Sequence, residues 1–201
     1  MQRLHSNVMR SSVPTARVAG ALRVSDDGDW LQGSRRVECP NFDARPDPAD
    51  ISLLVIHAIS LPPERFSGDA VERLFTNRLD PNAHPYLAGL AGVRVSAHLF
   101  IRRRGELMQF VPLTARAWHA GVSSWQGRAR CNDFSIGIEL EGSDHCPFTA
   151  AQMRRLQQVV AALQAAFPAI TRERVVGHSD IAPGRKTDPG PFFDWAALWG
   201  S

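Results

Sequence analysis

Two histidines and one aspartate in this sequence have the residue types and surroundings of a metal site. His57 ends a short apolar run, residues 51–57, and His178 follows another short apolar run. Asp188 lies in a loop fixed by prolines and glycines, residues 183–191, which can return its carboxylate to the neighbourhood of His178. Two imidazoles and one carboxylate suit Zn²⁺ and leave a fourth position for water. Taken alone, His57 could equally be a hydrogen-bonded core histidine.

A pair of glutamates provides candidate acid–base groups. Glu139 and Glu141 share one face of an alternating segment, roughly 6.5–7 Å apart along the backbone. Three interpretations stay open: two solvated carboxylates, a glycosidase pair near the inverting separation, or one general base acting on a water held by the metal. Lys186, two residues before Asp188, could stabilise an oxyanion or simply cap a loop.

Aromatic side chains flank a glycine-bearing loop that lies between His57 and Glu139 in the sequence. Trp118, His119 and Trp125 lie close to Gly121 and Gly127. Aromatic rings in such a loop could stack on a sugar ring or belong to the core.

The elements that must position these residues follow from the hydrophobic pattern. Apolar runs and alternation predict strands over residues 51–57, 93–101, 107–111, 134–141 and 175–176, of which 93–101 and 107–111 form a hairpin. Helices are predicted over residues 69–77, 149–167 and 193–199. Thr149 and Gln152 form a capping box at the start of the longest helix. Interleaved strands and helices indicate one α/β domain.

Length and composition exclude several classes of protein. The chain has 201 residues, 44% hydrophobic and 21% charged, which suits one domain. No apolar run approaches the roughly 20 residues of a membrane-spanning helix. Four arginines precede Asp26, and the remainder holds 19 basic and 20 acidic residues, so the net charge of +3 does not predict a nucleic-acid partner. Three scattered cysteines fit a reducing compartment better than a disulfide-stapled secreted domain.

The N-terminal segment differs from the rest of the chain. Residues 1–27 are expected to form a disordered extension, and residues 28–201 the folded domain. The extension is rich in arginine and serine and lacks the continuous apolar stretch of an export signal. Together with the cysteine usage, this composition predicts a cytoplasmic protein.

Five segments, read in order, resemble the zinc-dependent N-acetylmuramoyl-L-alanine amidases, and in particular the AmpD type of that family, which acts on 1,6-anhydro-muropeptides. They are LLVIHAISLPP, DPNAHPYLAG, VRVSAHLFIRRRGE, RAWHAGVSSWQGRARCNDFSIGIELEG and GHSDIAPGRKTDPGP. The resemblance runs from about residue 30 to residue 195. It implies a single α/β domain with a central mixed β-sheet flanked by helices, a fold shared with the peptidoglycan-recognition proteins.

The resemblance also implies roles for individual residues. One Zn²⁺ per chain would be held by His57, His178 and Asp188. Glu139 would activate water as the acid/base residue, and Lys186 would stabilise the oxyanion. Five residues would line the substrate groove: Tyr86, Arg94, Trp118, His119 and Arg130.

The implied reaction is hydrolysis of the amide between the lactyl group of (1,6-anhydro-)N-acetylmuramic acid and L-alanine of the stem peptide, in cytosolic muropeptide recycling. The expected partners are small soluble anhydro-muropeptides, with no nucleic acid and no membrane, and the protein is expected to be a monomer. Three alternatives remain: an exported or phage-type amidase acting on intact peptidoglycan, a non-catalytic peptidoglycan-recognition module, and a metal-free two-carboxylate glycosidase. A recognition module is expected to lack a metal ligand or the acid/base residue, and all of these are present here.

Overall fold

A computed structural model describes residues 22–200 of the protein. The strands in this part of the chain are β1 (Arg35–Arg36), β2 (Phe42–Asp43), β3 (Leu53–Ile59), β4 (Leu99–Ile101), β5 (Leu107–Gln109), β6 (Arg116–Ala117), β7 (Ser124–Trp125), β8 (Arg128–Ala129), β9 (Ser135–Glu141) and β10 (Val175–Gly177). The helices are α1 (Ala70–Phe75), α2 (Pro85–Ala88), α3 (Ala150–Ala166), α4 (His178–Ile181) and α5 (Trp195–Leu198). Short 3₁₀ turns occupy Cys131–Asp133 and Arg172–Arg174.

Six strands form one mixed sheet in the order β1–β5–β4–β9–β3–β10. β4 and β5 pair antiparallel, whereas the other neighbouring pairs of this sheet are parallel. β2 pairs with β6 and β7 with β8 in two small antiparallel ladders. A central mixed sheet with flanking helices is the fold class that the sequence predicted.

α3 covers one face of the sheet and leaves the other face for the candidate site. Leu156 and Leu163 of α3 belong to the same buried cluster as Ile136 and Ile138 of β9. Because side chains alternate along a strand, Glu139 faces the side opposite α3. The apolar side chains of β9 therefore pack the core, whereas Glu139 lies on the opposite face of the sheet.

The longest helix begins as the sequence predicted. The N–H of Gln152 donates to Oγ1 of Thr149 at 3.1 Å, and the N–H of Thr149 donates to Oε1 of Gln152 at 3.1 Å, which completes the capping box. The Gln152 amide also donates to the carbonyl oxygens of Ile101 and Glu141, at 3.3 and 2.9 Å. These bonds tie the start of α3 to the ends of two central strands.

The strand predicted over residues 93–101 is wrong in its first part, since only Leu99–Ile101 forms β4. The hairpin with β5 is confirmed, and Gly105 supplies the positive φ of its turn (+81°). Upstream of β4, the N–H of Ser96 donates to the carbonyl of Trp118 instead of to a strand of the central sheet. Both faces of β4 are covered, since Leu99 and Ile101 belong to one buried apolar cluster and Phe100 to another.

Residues 1–21 of the expected N-terminal extension lie outside the described residues. The remainder of that segment contacts the domain, because Val24 forms an antiparallel bridge with Leu31 and both Leu22 and Val24 pack against the core. No helix within residues 22–200 is long and apolar enough to cross a membrane.

Candidate active site

His57, His178 and Asp188 meet at one end of the parallel strands. β10 pairs with β3 so that Gly177 lies opposite Ile56. This register places His178, the first residue of α4, beside His57. Nδ1 of His57 lies 2.9 Å from Nδ1 of His178 and 3.2 Å from Oδ2 of Asp188, and the third separation is 3.1 Å. The structure thus brings together all three predicted metal ligands.

The triangle of donor atoms has the dimensions of one face of a zinc coordination sphere. Ligand atoms about 2.0–2.1 Å from a tetrahedral Zn²⁺ lie about 3.3 Å from one another. Burial lowers the pKa of His57 to about 4, which keeps its imidazole neutral near pH 7. Burial acts to raise the pKa of Asp188, but the close imidazoles of His178 and His57 outweigh it and lower that pKa. Neutral imidazoles and an ionised carboxylate are the forms that ligate a metal.

A backbone carbonyl fixes the orientation of the second histidine. Nε2 of His178 lies 3.1 Å from the carbonyl oxygen of Ala120, which can only accept, so Nε2 donates there and Nδ1 keeps its lone pair. The guanidinium of Arg185 donates to the same carbonyl at 2.6 Å and to that of Val122 at 2.7 Å. The sequence analysis did not single out Arg185, although it directly precedes Lys186.

We call the three donor atoms of His57, His178 and Asp188 the metal triangle. Glu139 lies beside it on the same face of the sheet. The parallel register of β3 and β9 places it directly opposite His57. Its Oε2 is buried and has no hydrogen-bond partner among the described residues. Burial raises the pKa of Glu139 well above its ordinary value, the charge of Asp188 raises it further, and Lys186 opposes both effects. A carboxyl group with a raised pKa is suited to take up and release a proton.

Glu141 lies two residues along the same strand face but is engaged in structural contacts. It is 4% exposed, accepts a hydrogen bond from the N–H of Arg103 at 2.9 Å, and pairs with the guanidinium of Arg102 at 3.3 Å. Of the two glutamates, Glu139 lines the groove described next and Glu141 does not. The structure therefore gives the two carboxylates different environments.

A groove of about 530 Å³ opens over the metal triangle and Glu139. Besides these residues, its walls include four that the sequence analysis named: Lys186, Tyr86, Trp118 and His119. The aromatic ring of Tyr86 is half-exposed at its edge. The groove falls within the size range of pockets that enclose small ligands.

Two predicted substrate residues lie away from this lining. Arg94 lines a neighbouring cavity of about 100 Å³ that shares Leu74 and Leu90 with the groove. Arg130 adopts a left-handed conformation (φ +61°) and pairs with Asp133 at 3.1 Å. Their roles toward substrate stay predictions.

The comparisons with known proteins agree on one family. The family model for N-acetylmuramoyl-L-alanine amidase matches residues 47–191. The chain is 59% identical over 170 residues to the 1,6-anhydro-N-acetylmuramyl-L-alanine amidase AmpD of Citrobacter freundii, covering 85% of this chain and 90% of that protein. The crystal structure of a selenomethionine derivative of AmpD superposes with a TM-score of 0.84 at 58% identity, covering 87% of this chain and 97% of the other.

A solved complex with a substrate is also similar to this chain. It contains the N-acetylmuramyl-L-alanine amidase AmiD from Escherichia coli with anhydro-N-acetylmuramic acid-L-Ala-D-γ-Glu-L-Lys. The TM-score is 0.56 at 32% identity, with coverage of 90% of this chain and 65% of AmiD.

Proposed function

Because the chain belongs to the N-acetylmuramoyl-L-alanine amidase family, we propose that it is a zinc-dependent amidase of cytosolic muropeptide recycling. Its substrate is the amide between the lactyl group of 1,6-anhydro-N-acetylmuramic acid and L-alanine of the stem peptide. The observation that carries the proposal is the meeting of the metal triangle with Glu139 in one groove, in a chain so similar to AmpD.

The residues at the centre of the groove fit zinc. His57, His178 and Asp188 offer two imidazole nitrogens and one carboxylate oxygen, which is a zinc donor set with one position open. The orphaned Oε2 of Glu139 lies in the same groove and would be able to hydrogen-bond a water there. When bound, zinc supplies Lewis-acid polarisation of the scissile carbonyl and lowers the pKa of the attacking water.

Glu139 and Lys186 are the groups that handle the proton and the developing charge. Glu139 takes a proton from the attacking water as its oxygen bonds to the carbonyl carbon. It then returns that proton to the L-alanine nitrogen as the carbon–nitrogen bond breaks, which leaves the lactyl carboxylic acid and a free amine. Lys186 lies close enough to lower the pKa values of Glu139 and His57 through its charge, so its ammonium can stabilise the oxyanion.

Four side chains are assigned to the parts of the substrate that flank the reacting amide. Trp118 and Tyr86 offer apolar surface for the sugar ring and the stem peptide. Arg94 and Arg130 carry guanidinium groups suited to the carboxylates of the peptide. The proposed substrate is a small soluble anhydro-muropeptide, and the proposed working form is a monomer in the cytoplasm.

Mass spectrometry of hydrolysis products tests this function directly. The zinc-loaded protein is incubated in parallel with an anhydro-muramyl tripeptide and with intact peptidoglycan sacculi, each with and without a chelator. We expect free tripeptide from the soluble substrate alone, loss of that product on chelation, and its recovery on adding zinc. The Asp188→Ala variant serves as the control for the metal requirement.

Two other results would change the assignment. Release of stem peptides from sacculi would make the protein a wall-cleaving amidase. Absence of any product from either substrate with zinc-loaded protein would leave a peptidoglycan-recognition module without catalysis.

A further inference from the structure

Both ring nitrogens of His119 are already engaged inside the protein. Nδ1 lies 2.9 Å from Nε2 of His57, and Nε2 lies 3.2 Å from Oγ of Ser135. A histidine whose two nitrogens both have protein partners has none left to hydrogen-bond a ligand in the groove. This geometry does not suit the substrate-binding role that the sequence resemblance implied for His119.

The direction of each hydrogen bond follows from the carbonyl oxygen of Cys131, the acceptor at which this series of contacts ends. Oγ of Ser135 lies 2.6 Å from the carbonyl oxygen of Cys131, which can only accept, so the serine hydroxyl donates there. Oγ of Ser135 therefore accepts from Nε2–H of His119. With the proton of the His119 ring on Nε2, its Nδ1 accepts from Nε2–H of His57. That leaves Nδ1 of His57 unprotonated, facing the metal position.

The position of the His119 ring is set by the strand beneath it. A Cβ at Gly137 would lie 2.5–2.7 Å from three atoms of the imidazole, so the ring rests on bare backbone at this point of β9. The amide groups of His119 and Ala120 both donate to Oδ1 of Asn132, at 3.2 and 2.8 Å. The ring is thus held from below and along its own backbone.

The same two-residue segment also orients the other imidazole ligand. The carbonyl of Ala120 accepts from Nε2–H of His178, as described above, and the side chain of His119 accepts from Nε2–H of His57. Both histidines are thereby presented to the metal through Nδ1. Partners of this kind fix the tautomer and the ring plane of a metal-bound histidine.

We propose that His119 is a positioning residue for the metal: through the relay Ser135–His119–His57 it fixes the tautomer and orientation of His57, and it makes no hydrogen bond to substrate. The inference rests on the zinc site of the proposed function. It predicts that breaking the relay weakens metal binding even though all three ligands remain.

The test compares two replacements of His119 in the full-length protein. His119→Leu fills the space without hydrogen bonds, whereas the amide of His119→Gln can accept from His57 and donate to Ser135. Zinc affinity is measured by competition with a chromophoric chelator, and the Co²⁺-loaded proteins are compared by their visible d–d spectra. Loss of an outer partner of a metal ligand typically costs about 10–100-fold in affinity. We expect that loss and an altered spectrum for His119→Leu, and recovery of most of the affinity in His119→Gln.

A second pair of variants keeps the inference testable if His119→Leu fails to fold. Ser135→Ala removes the far end of the relay, and Ser52→Ala removes another buried serine hydroxyl, one that donates to Asp50 at 2.8 Å at the opposite end of β3. We expect weaker zinc binding in Ser135→Ala and wild-type affinity in Ser52→Ala.

The outcomes separate the inference from the proposed function. If the wild-type protein binds no zinc, the proposed function fails. If the wild type binds zinc and both His119→Leu and Ser135→Ala match its affinity and Co²⁺ spectrum, the relay is refuted. A raised KM with unchanged zinc affinity would instead return His119 to the substrate site.

Discussion

Replacing Glu139 with glutamine keeps the size of the side chain and its place on β9 but removes its capacity to take up and return a proton. Oε2 of Glu139 has no hydrogen-bond partner among the described residues, so the substitution breaks no existing bond at that atom. The three metal donors belong to other residues. The expected effect is therefore confined to the chemical step.

The magnitude follows from the role of the carboxylate. General acid–base catalysis contributes typically about 10²–10⁴ in rate, equivalent to about 3–5 kcal/mol of barrier at roughly 1.4 kcal/mol per tenfold change. We expect kcat of Glu139→Gln to fall by that factor, with KM and zinc content close to wild type. The assay is steady-state release of tripeptide from an anhydro-muramyl tripeptide, with bound zinc measured by atomic emission.

Glu141→Gln is the matched control, since it changes the same residue type on the same strand face. Its carboxylate pairs with Arg102 and accepts from the N–H of Arg103, outside the groove. We expect kcat to stay within about tenfold of wild type, whereas the loss of a buried charged partner lowers the free energy of unfolding by about 1–3 kcal/mol. A kcat for Glu139→Gln within tenfold of wild type, or an equal loss in both variants, would refute the assignment of Glu139 as the acid/base residue.

The remaining predictions concern the metal, the pH dependence of stability and the N-terminal segment. Asp188→Ala should lose zinc on dialysis and lose activity with it, because two imidazoles alone hold the ion weakly, and a fully metallated, active variant would contradict the ligand assignment. Burial raises the pKa of Glu139 in the folded state, so in metal-free protein this group lowers stability progressively as pH rises above its ordinary value of 4.5. The Tm of metal-free Glu139→Gln minus that of wild type should therefore be more positive at about pH 8 than at about pH 5, and a difference independent of pH would contradict the raised pKa. Deleting residues 1–27 should lower Tm relative to a truncation that starts at Leu22, because it removes Leu22 and Val24 from the core, and equal Tm values would show that those contacts do not contribute.

Short-range patterns in the sequence predicted the elements that carry the site. Strict alternation over residues 134–141 identified β9, and the pair Thr149 and Gln152 identified the start of α3. These features depend on neighbours within a few residues, whose preferences act before any tertiary contact forms. The strand over residues 93–101 was predicted too long, because alternation alone does not show where a segment leaves its neighbour in the sheet.

The same limit applies to the two glutamates. The period of a strand places Glu139 and Glu141 on one face but does not say what covers each of them. The structure puts Arg102 against Glu141 and the groove above Glu139.

The sequence by itself determined the fold class, the family and the identities of the three candidate metal ligands, because residue types and short motifs are enough for those conclusions. The tertiary structure alone decided which nitrogen of His57 faces His178 and Asp188, and what His119 contacts. It also placed Arg94 beside the groove and Arg130 on Asp133. These outcomes depend on pairs such as His57 and His178, 121 residues apart in the chain. Their distance is fixed only when the parallel strands align, so no local pattern records it.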